Sequence, residues 1–242
     1  MSQFQTKTPA AETEQKNARS TGRLYGGQTL QERSDKRREQ FLAAGLEVFG
    51  REGFRNATVR GICRQAQLTD RYFYEGFGTL EHLLQAVYSH CMDDIYRQLL
   101  AIFRHSDSRS DMQTLVNQGL TLFFSALQDT RVARICMLEL EGVSKETDAH
   151  YLGYIRRFAL LLMSVARNVH PHWRISDDEA EMLGMGLVGA MRQMSVNWLL
   201  SDYAASRETL VSSGRRLIMG LVLQLQQDYR PGSSADSSTL QR

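Results

Sequence analysis

The chain has 242 residues, 42% of them hydrophobic, and a formal net charge of +2 at neutral pH, so it is long enough for one large or two small domains with a real core. Only 3 prolines, among recurring Leu, Met, Ala and Arg, point to an all-α protein. No apolar run is long enough to span a membrane: Phe158–Met163 is broken by Ser164 and flanked by Arg156, Arg157 and Arg167.

Residues 1–33 mix Gln, Thr, Ser, Gly and scattered charge without hydrophobic periodicity, which predicts a disordered arm. The polar, Gln-rich start does not read as a secretory signal. Ser34 then stands as an N-cap for a helix to about Arg51, with Phe41, Leu42, Leu46 and Phe49 as its apolar stripe and Gly53 as its stop.

Next come two short helices pinned by a tight turn, over residues 58–77. Thr58 caps the first, which places Val59, Ile62 and Ala66 on one face; the turn falls at Gln67–Leu68. Thr69 caps the second, which carries Arg71, Tyr72, Tyr74 and Glu75 outward while Phe73 and Phe77 face the core. A short helix bearing hydrogen-bonding and aromatic groups, held by a capped partner, is the build of a major-groove reader. Gly78 breaks the chain again, and Thr79 caps a long helix from Leu80 to about Arg104.

Beyond Ser106 the periodicity predicts helices over Asp111–Gln128, Arg131–Glu141, Lys145–Val169, Asp177–Tyr203 and Arg207–Tyr229. Ser110–Gln113 and Ser176–Glu179 fit the capping box. Pro171 and Pro231 fall outside helices, and residues 231–242 read as a loose tail. Charge is uneven: residues 1–78 hold 13 Lys and Arg against 9 Asp and Glu, whereas the remainder is slightly acidic. That polarity suits a front end that meets phosphate.

The densest patterns, AAGLEVFGREGF, then ATVRGICRQAQLTDRYFYEGF, then TLEHLLQAVY, strongly resemble the TetR family of bacterial transcriptional regulators. The resemblance implies a three-helix DNA-binding domain over residues 34–95, with its helix-turn-helix at 58–77, and a helical regulatory and dimerisation domain over 96–230. It also implies a cytoplasmic homodimer, paired through the last two long helices, that acts as a ligand-responsive repressor on a palindromic operator in double-stranded DNA. It implies neither an enzyme nor a cofactor, but a small-molecule effector. Carried over by position, Thr58 and Thr69 offer phosphate contacts at the two helix starts. Asp70, Arg71, Tyr72 and Glu75 face base edges, and Tyr74 faces backbone. Arg71 is the best match for a guanine, because its fork suits two acceptors on that base. Two positions depart from the family pattern: Gly76 stands where an aromatic phosphate contact is common, and Leu80 where a lysine often binds phosphate. Fewer phosphate contacts mean weaker and less salt-sensitive binding. Arg19, Arg23 and Arg33, around LYGG, supply basic groups that a flexible arm can carry into a minor groove.

Other motifs read more plainly. Gly184–Gly189 satisfies GxGxxG, but it lies inside a predicted helix rather than after a strand, so no dinucleotide site follows. Gly184, Gly186 and Gly189 instead strip side chains from a helix, which permits close approach at a dimer interface. Arg134, Met137, Tyr154, Met163 and Trp198 are candidates for an effector pocket, with ordinary core packing as the competing role. Glu146 and His150, one turn apart, read as an exposed pair rather than metal ligands. Three cysteines, Cys63, Cys91 and Cys136, lie far apart without CxxC spacing, which suits a reducing compartment. No nucleophile spacing stands out. The competing reading is a helical-bundle enzyme or metal carrier whose N-terminal helices only pack.

Overall fold

The computed structural model describes residues 29–229, and every regular element among them is helical. The first helix, α1, is Leu30–Glu52, which starts before the expected position. The cap is Thr29 rather than Ser34: its hydroxyl accepts from Glu32 N–H at 3.1 Å, and the Glu32 carboxylate accepts from Thr29 N–H at 2.7 Å. Residues 30–33, expected in the arm, are therefore helical. The rest of the arm and the tail lie outside the described residues.

Among the described residues, 37–229 form one compact unit. α2 (Val59–Ala66) and α3 (Asp70–Gly76) follow a short 3-10 turn, Phe54–Asn56. α4 (Leu80–Phe103) then runs unbroken through the expected boundary at 95/96. α5 is Met112–Ala126 and α6 is Thr130–Arg134; a π-helical turn, Ile135–Glu139, continues α6. α7 (Lys145–Val169), α8 (Asp177–Leu200) and α9 (Arg207–Asp228) complete the order. α7 packs along α8, α9 along α5, and α4 against both α5 and α7.

Local chemistry explains the ends. Thr58, Thr79, Asp111, Ser144, Ser176 and Ser206 each accept a backbone N–H three residues on, which satisfies donors that a helix leaves orphaned. Asp111 takes the cap expected of Ser110, because the Ser110 hydroxyl already accepts from Asp107 N–H. Ser144 and Thr147 form a reciprocal box. α2 ends where Gln67 enters the left-handed region at φ 55°: its N–H bonds Arg64 O, while Leu68 N–H bonds Cys63 O. The helix expected over Arg131–Glu141 is the one that breaks pattern, since its second half widens into the π-turn.

One hydrophobic core reaches from Phe41 to Val211, with Phe49, Phe73, Leu83, Leu84 and Tyr88 fully enclosed. A second cluster, with Met112, Val169, Trp173, Val222 and Leu225, closes the far end of the α5–α7–α9 packing. Gly184 lets α8 lie against α7 so closely that an added Cβ would meet the Ala159 carbonyl oxygen at 2.8 Å.

Candidate functional site

α3 is positioned from behind by aromatic rings. Phe73 is fully buried and meets Phe41 of α1 edge to face at 5.7 Å, and Phe77 meets the same ring at 5.9 Å. These contacts anchor a helix of only two turns, too short to hold itself in water. Its other face is open: Tyr74 is 60% exposed, Tyr72 is 37% exposed, and Asp70, Arg71 and Glu75 are exposed. Arg71 Nε donates to Glu75 at 2.7 Å, which raises the guanidinium pKa further, and the pair spans one turn of this face. The Thr58 hydroxyl is engaged in capping α2, whereas the Thr69 side chain makes no cap hydrogen bond. The Arg37 guanidinium sits 4.5 Å from the Tyr72 ring centre, and Arg38 lies 5.0 Å from that of Phe77. Sequence spacing gave no sign of Arg37, since the contact joins residues far apart in the chain.

Behind this face, α4, α5, α7, α8 and α9 enclose a cavity of about 130 Å³ with an almost wholly apolar lining. α4 serves both parts: Leu83 and Leu84 join the core that carries α3, while Tyr88, Met92, Leu99 and Phe103 line the cavity. Of the five candidate pocket residues, Met137 and Met163 line it. Tyr88 is fully buried with its hydroxyl unpartnered, and burial first of all pushes its pKa far up, with nearby Arg192 opposing. Trp173 also lines the cavity, with an unpartnered buried indole N–H.

Residues 41–87, covering most of α1, all of α2 and α3 and the start of α4, match the family model of bacterial regulatory proteins, tetR family. The segment that carries the exposed α3 face is thus of the tetR-family type. Over 138 residues it is 22% identical to the HTH-type nicotine-responsive transcriptional repressor HdnoR of Paenarthrobacter nicotinovorans, a match spanning 54% of this chain and 70% of that protein. Its fold is similar to that of the fatty acid degradation regulator FadR from Bacillus halodurans, with TM-score 0.66 at 18% identity over 76% of this chain and 95% of that one. It is also similar to FadR from Bacillus subtilis, solved in complex with stearoyl-CoA, with TM-score 0.65 at 18% identity over 74% and 96%.

Several expected pocket residues serve elsewhere. Arg134 does not reach the cavity: its Nε donates to Glu139 at 2.7 Å, and the other oxygen of that carboxylate accepts from Phe54 N–H at 2.7 Å. The π-turn thereby reaches the loop after α1, where Gly53 has φ 82° and a Cβ would press on the Arg134 guanidinium at 3.0 Å. Trp198 is structural, with Nε1 donating to Ala205 O at 2.7 Å and its ring against Phe124 and Tyr203. Tyr154 packs on Tyr88 and His150, outside the lining. Helical spacing identifies which residues are apolar or large, but the π-turn shifts Ile135–Glu139 off α-helical positions and brings Glu139, five residues on, beside Arg134.

The glycines divide. Gly184 is spent inside the chain against Ala159, which corrects its place at a dimer interface, whereas a Cβ at Gly186 or Gly189 meets nothing within 4 Å. His150 hydrogen bonds Ser89 at 2.8 Å rather than pairing with Glu146, and no cluster with metal-binding composition occurs among the described residues. All three cysteines are free and buried. Cys91 and Cys136, distant in sequence, meet in space; the contact with Cys91, then burial, hold the Cys136 thiol protonated. Burial likewise raises Cys63, with help from the Asp70 carboxylate. No described helix is long and apolar enough to cross a membrane.

Proposed function

We propose that this regulator is a ligand-responsive repressor that binds a palindromic operator as a homodimer. One observation carries the reading: α4 is at once the wall of an enclosed apolar cavity and the buttress of the exposed α3 face. A molecule entering the cavity displaces α4, and α3 moves with it. If that coupling is of the usual ~1–3 kcal/mol, operator affinity falls roughly 5–150-fold. HdnoR responds to nicotine and Bacillus subtilis FadR takes stearoyl-CoA, which supports an effector here without naming it.

On this reading residues 34–95 form the DNA-binding domain and 96–230 the regulatory one. Arg71 reads a base edge after leaving Glu75, Tyr72, Asp70 and Glu75 lie against neighbouring bases, and Thr58, Thr69 and Tyr74 meet phosphate. Arg37, stacked on Tyr72, adds a cation to the same face. The dimer forms through the open side of α8 and α9, where Met182, Leu200, Leu217 and Leu223 are more than half exposed beside Gly186 and Gly189. Two recognition helices about 34 Å apart then meet successive major grooves. Free, buried cysteines suit a cytoplasmic setting. The test is fluorescence anisotropy of the DNA upstream of the regulator's own gene, with sedimentation of the complex. Two chains per palindrome, bound in preference to random duplex, supports the reading; no preference over random duplex refutes it.

A further inference from the structure

The cavity is long and thin. Its lining follows α7 from Tyr151 to Ala166, about 22 Å of helix at 1.5 Å per residue, yet it encloses only about 130 Å³. Such a slot fits one unbranched chain better than fused rings, and the Met and Leu side chains along it can yield further. Its polar groups fall in two places. Tyr88, Tyr151 and Arg192 gather beside the π-turn, with the Arg192 guanidinium 5.4 Å from the Tyr151 ring centre. Trp173 lies in the second apolar cluster instead.

Two of the gathered groups have unmet hydrogen-bonding capacity. The Tyr88 hydroxyl has no partner, and Arg192 Nε is buried without one. Arg192 lies over the Tyr151 ring, and its Nη2 donates to the Met137 carbonyl at 3.1 Å and pairs with Glu141. A buried donor without an acceptor costs free energy and calls for an explanation. An oxygen-bearing head placed between Tyr88 and Arg192 supplies one.

Resting on the effector reading above, we propose that the cavity takes a long unbranched acyl chain whose carboxylate or carbonyl oxygen accepts from Tyr88 Oη and Arg192 Nε, drawing Arg192 off Glu141 and the Met137 carbonyl. Glu141 is 60% exposed and turns to water at little cost. The freed carbonyl belongs to the π-turn, and two residues on, Glu139 holds both Arg134 and Phe54 N–H. The head group therefore acts on the segment that fastens the loop between α1 and α2, while the chain acts on α4.

The test uses the full-length protein with four probes: palmitate, palmitoyl-coenzyme A, 1-hexadecanol and coenzyme A alone. Calorimetry reads binding, and anisotropy reads release of the upstream DNA. Palmitate or palmitoyl-coenzyme A, or both, is expected to bind and release DNA at least tenfold more potently than hexadecanol, and coenzyme A alone to do neither; which acyl probe prevails separates a free acid from a thioester. Tyr88→Phe and Arg192→Gln should each weaken acyl binding about tenfold and erase the advantage over hexadecanol. Tyr88→Phe removes only an unpartnered hydroxyl, so its melting temperature should hold or rise, which separates a ligand contact from a structural role. Equal potency of hexadecanol and the acyl probes, or unchanged acyl binding in a folded Tyr88→Phe protein, overturns the head-group assignment and leaves the effector reading standing. Failure of every chain to bind overturns the ligand class. Tight binding of the chains with DNA affinity unmoved overturns the effector reading beneath it.

Discussion

Three glycines within one turn and a half of α8 provide an internal control on where α8 meets its neighbours. Replacing any of them by alanine gains helix propensity, about 1 kcal/mol each. At Gly184 that gain is outweighed, because the new methyl would lie 2.8 Å from the Ala159 carbonyl oxygen and 3.0 Å from the Ala159 Cβ, both on a packed helix that cannot retreat cheaply. Overpacking of this kind typically costs 1–3 kcal/mol, so Gly184→Ala should unfold at lower urea concentration by about 0–2 kcal/mol net, with dimerisation unaffected. At Gly186 and Gly189 the methyl meets nothing within the chain. If the partner subunit packs there, the double variant Gly186→Ala/Gly189→Ala should weaken self-association by about 1–3 kcal/mol, or roughly 5- to 150-fold in dissociation constant, read by sedimentation equilibrium. A double variant that dimerises as before and simply melts higher would refute the placement of the partner on this face. A Gly184→Ala protein clearly more stable than the parent would refute the close approach of α7 and α8.

Three further outcomes are expected. Glu139→Ala removes the acceptor of the Phe54 N–H and the partner of Arg134 together, and should cost about 1.5–3 kcal/mol in denaturant unfolding. A change below about 0.5 kcal/mol would show that the clamp bears no load. Arg71→Ala should lose on the order of tenfold discrimination at one base pair while leaving thermal stability unchanged, since its pair with Glu75 is exposed; an equal loss across all sequences would make Arg71 a phosphate contact. Asp129, which caps α6, is held below its ordinary pKa of 3.8 chiefly by hydrogen bonds from the Arg131 side chain. A lowered folded-state pKa means that its contribution is fully present above 3.8 and is lost as pH falls through the folded value. Asp129→Asn should therefore be less stable at neutral pH and show a shallower loss in acid titration; parallel curves would rule this out.

Much of the architecture is local and was legible. Caps at Thr58, Thr79 and Ser176 act within three residues, so side-chain chemistry marks those helix starts directly. The inward Phe73 and Phe77 and the outward Arg71, Tyr72, Tyr74 and Glu75 follow from a periodicity that a two-turn helix cannot escape. Even Gln67, an unusual residue for a left-handed turn, was placed correctly, because the capped segments on either side leave the chain nowhere else to reverse.

What sequence could not decide were contacts whose partners lie tens of residues away. Whether Arg134 faces a cavity or a carboxylate depends on a π-turn that shifts the register after it, and on Phe54, 85 residues from Glu139. Whether a glycine serves its own chain or another depends on which side of α8 meets α7. Which methionines line a void rather than fill one depends on how five helices stack. Periodicity fixes a face relative to its own helix axis; only tertiary packing, set by the summed burial of all those faces at once, determines what each face meets.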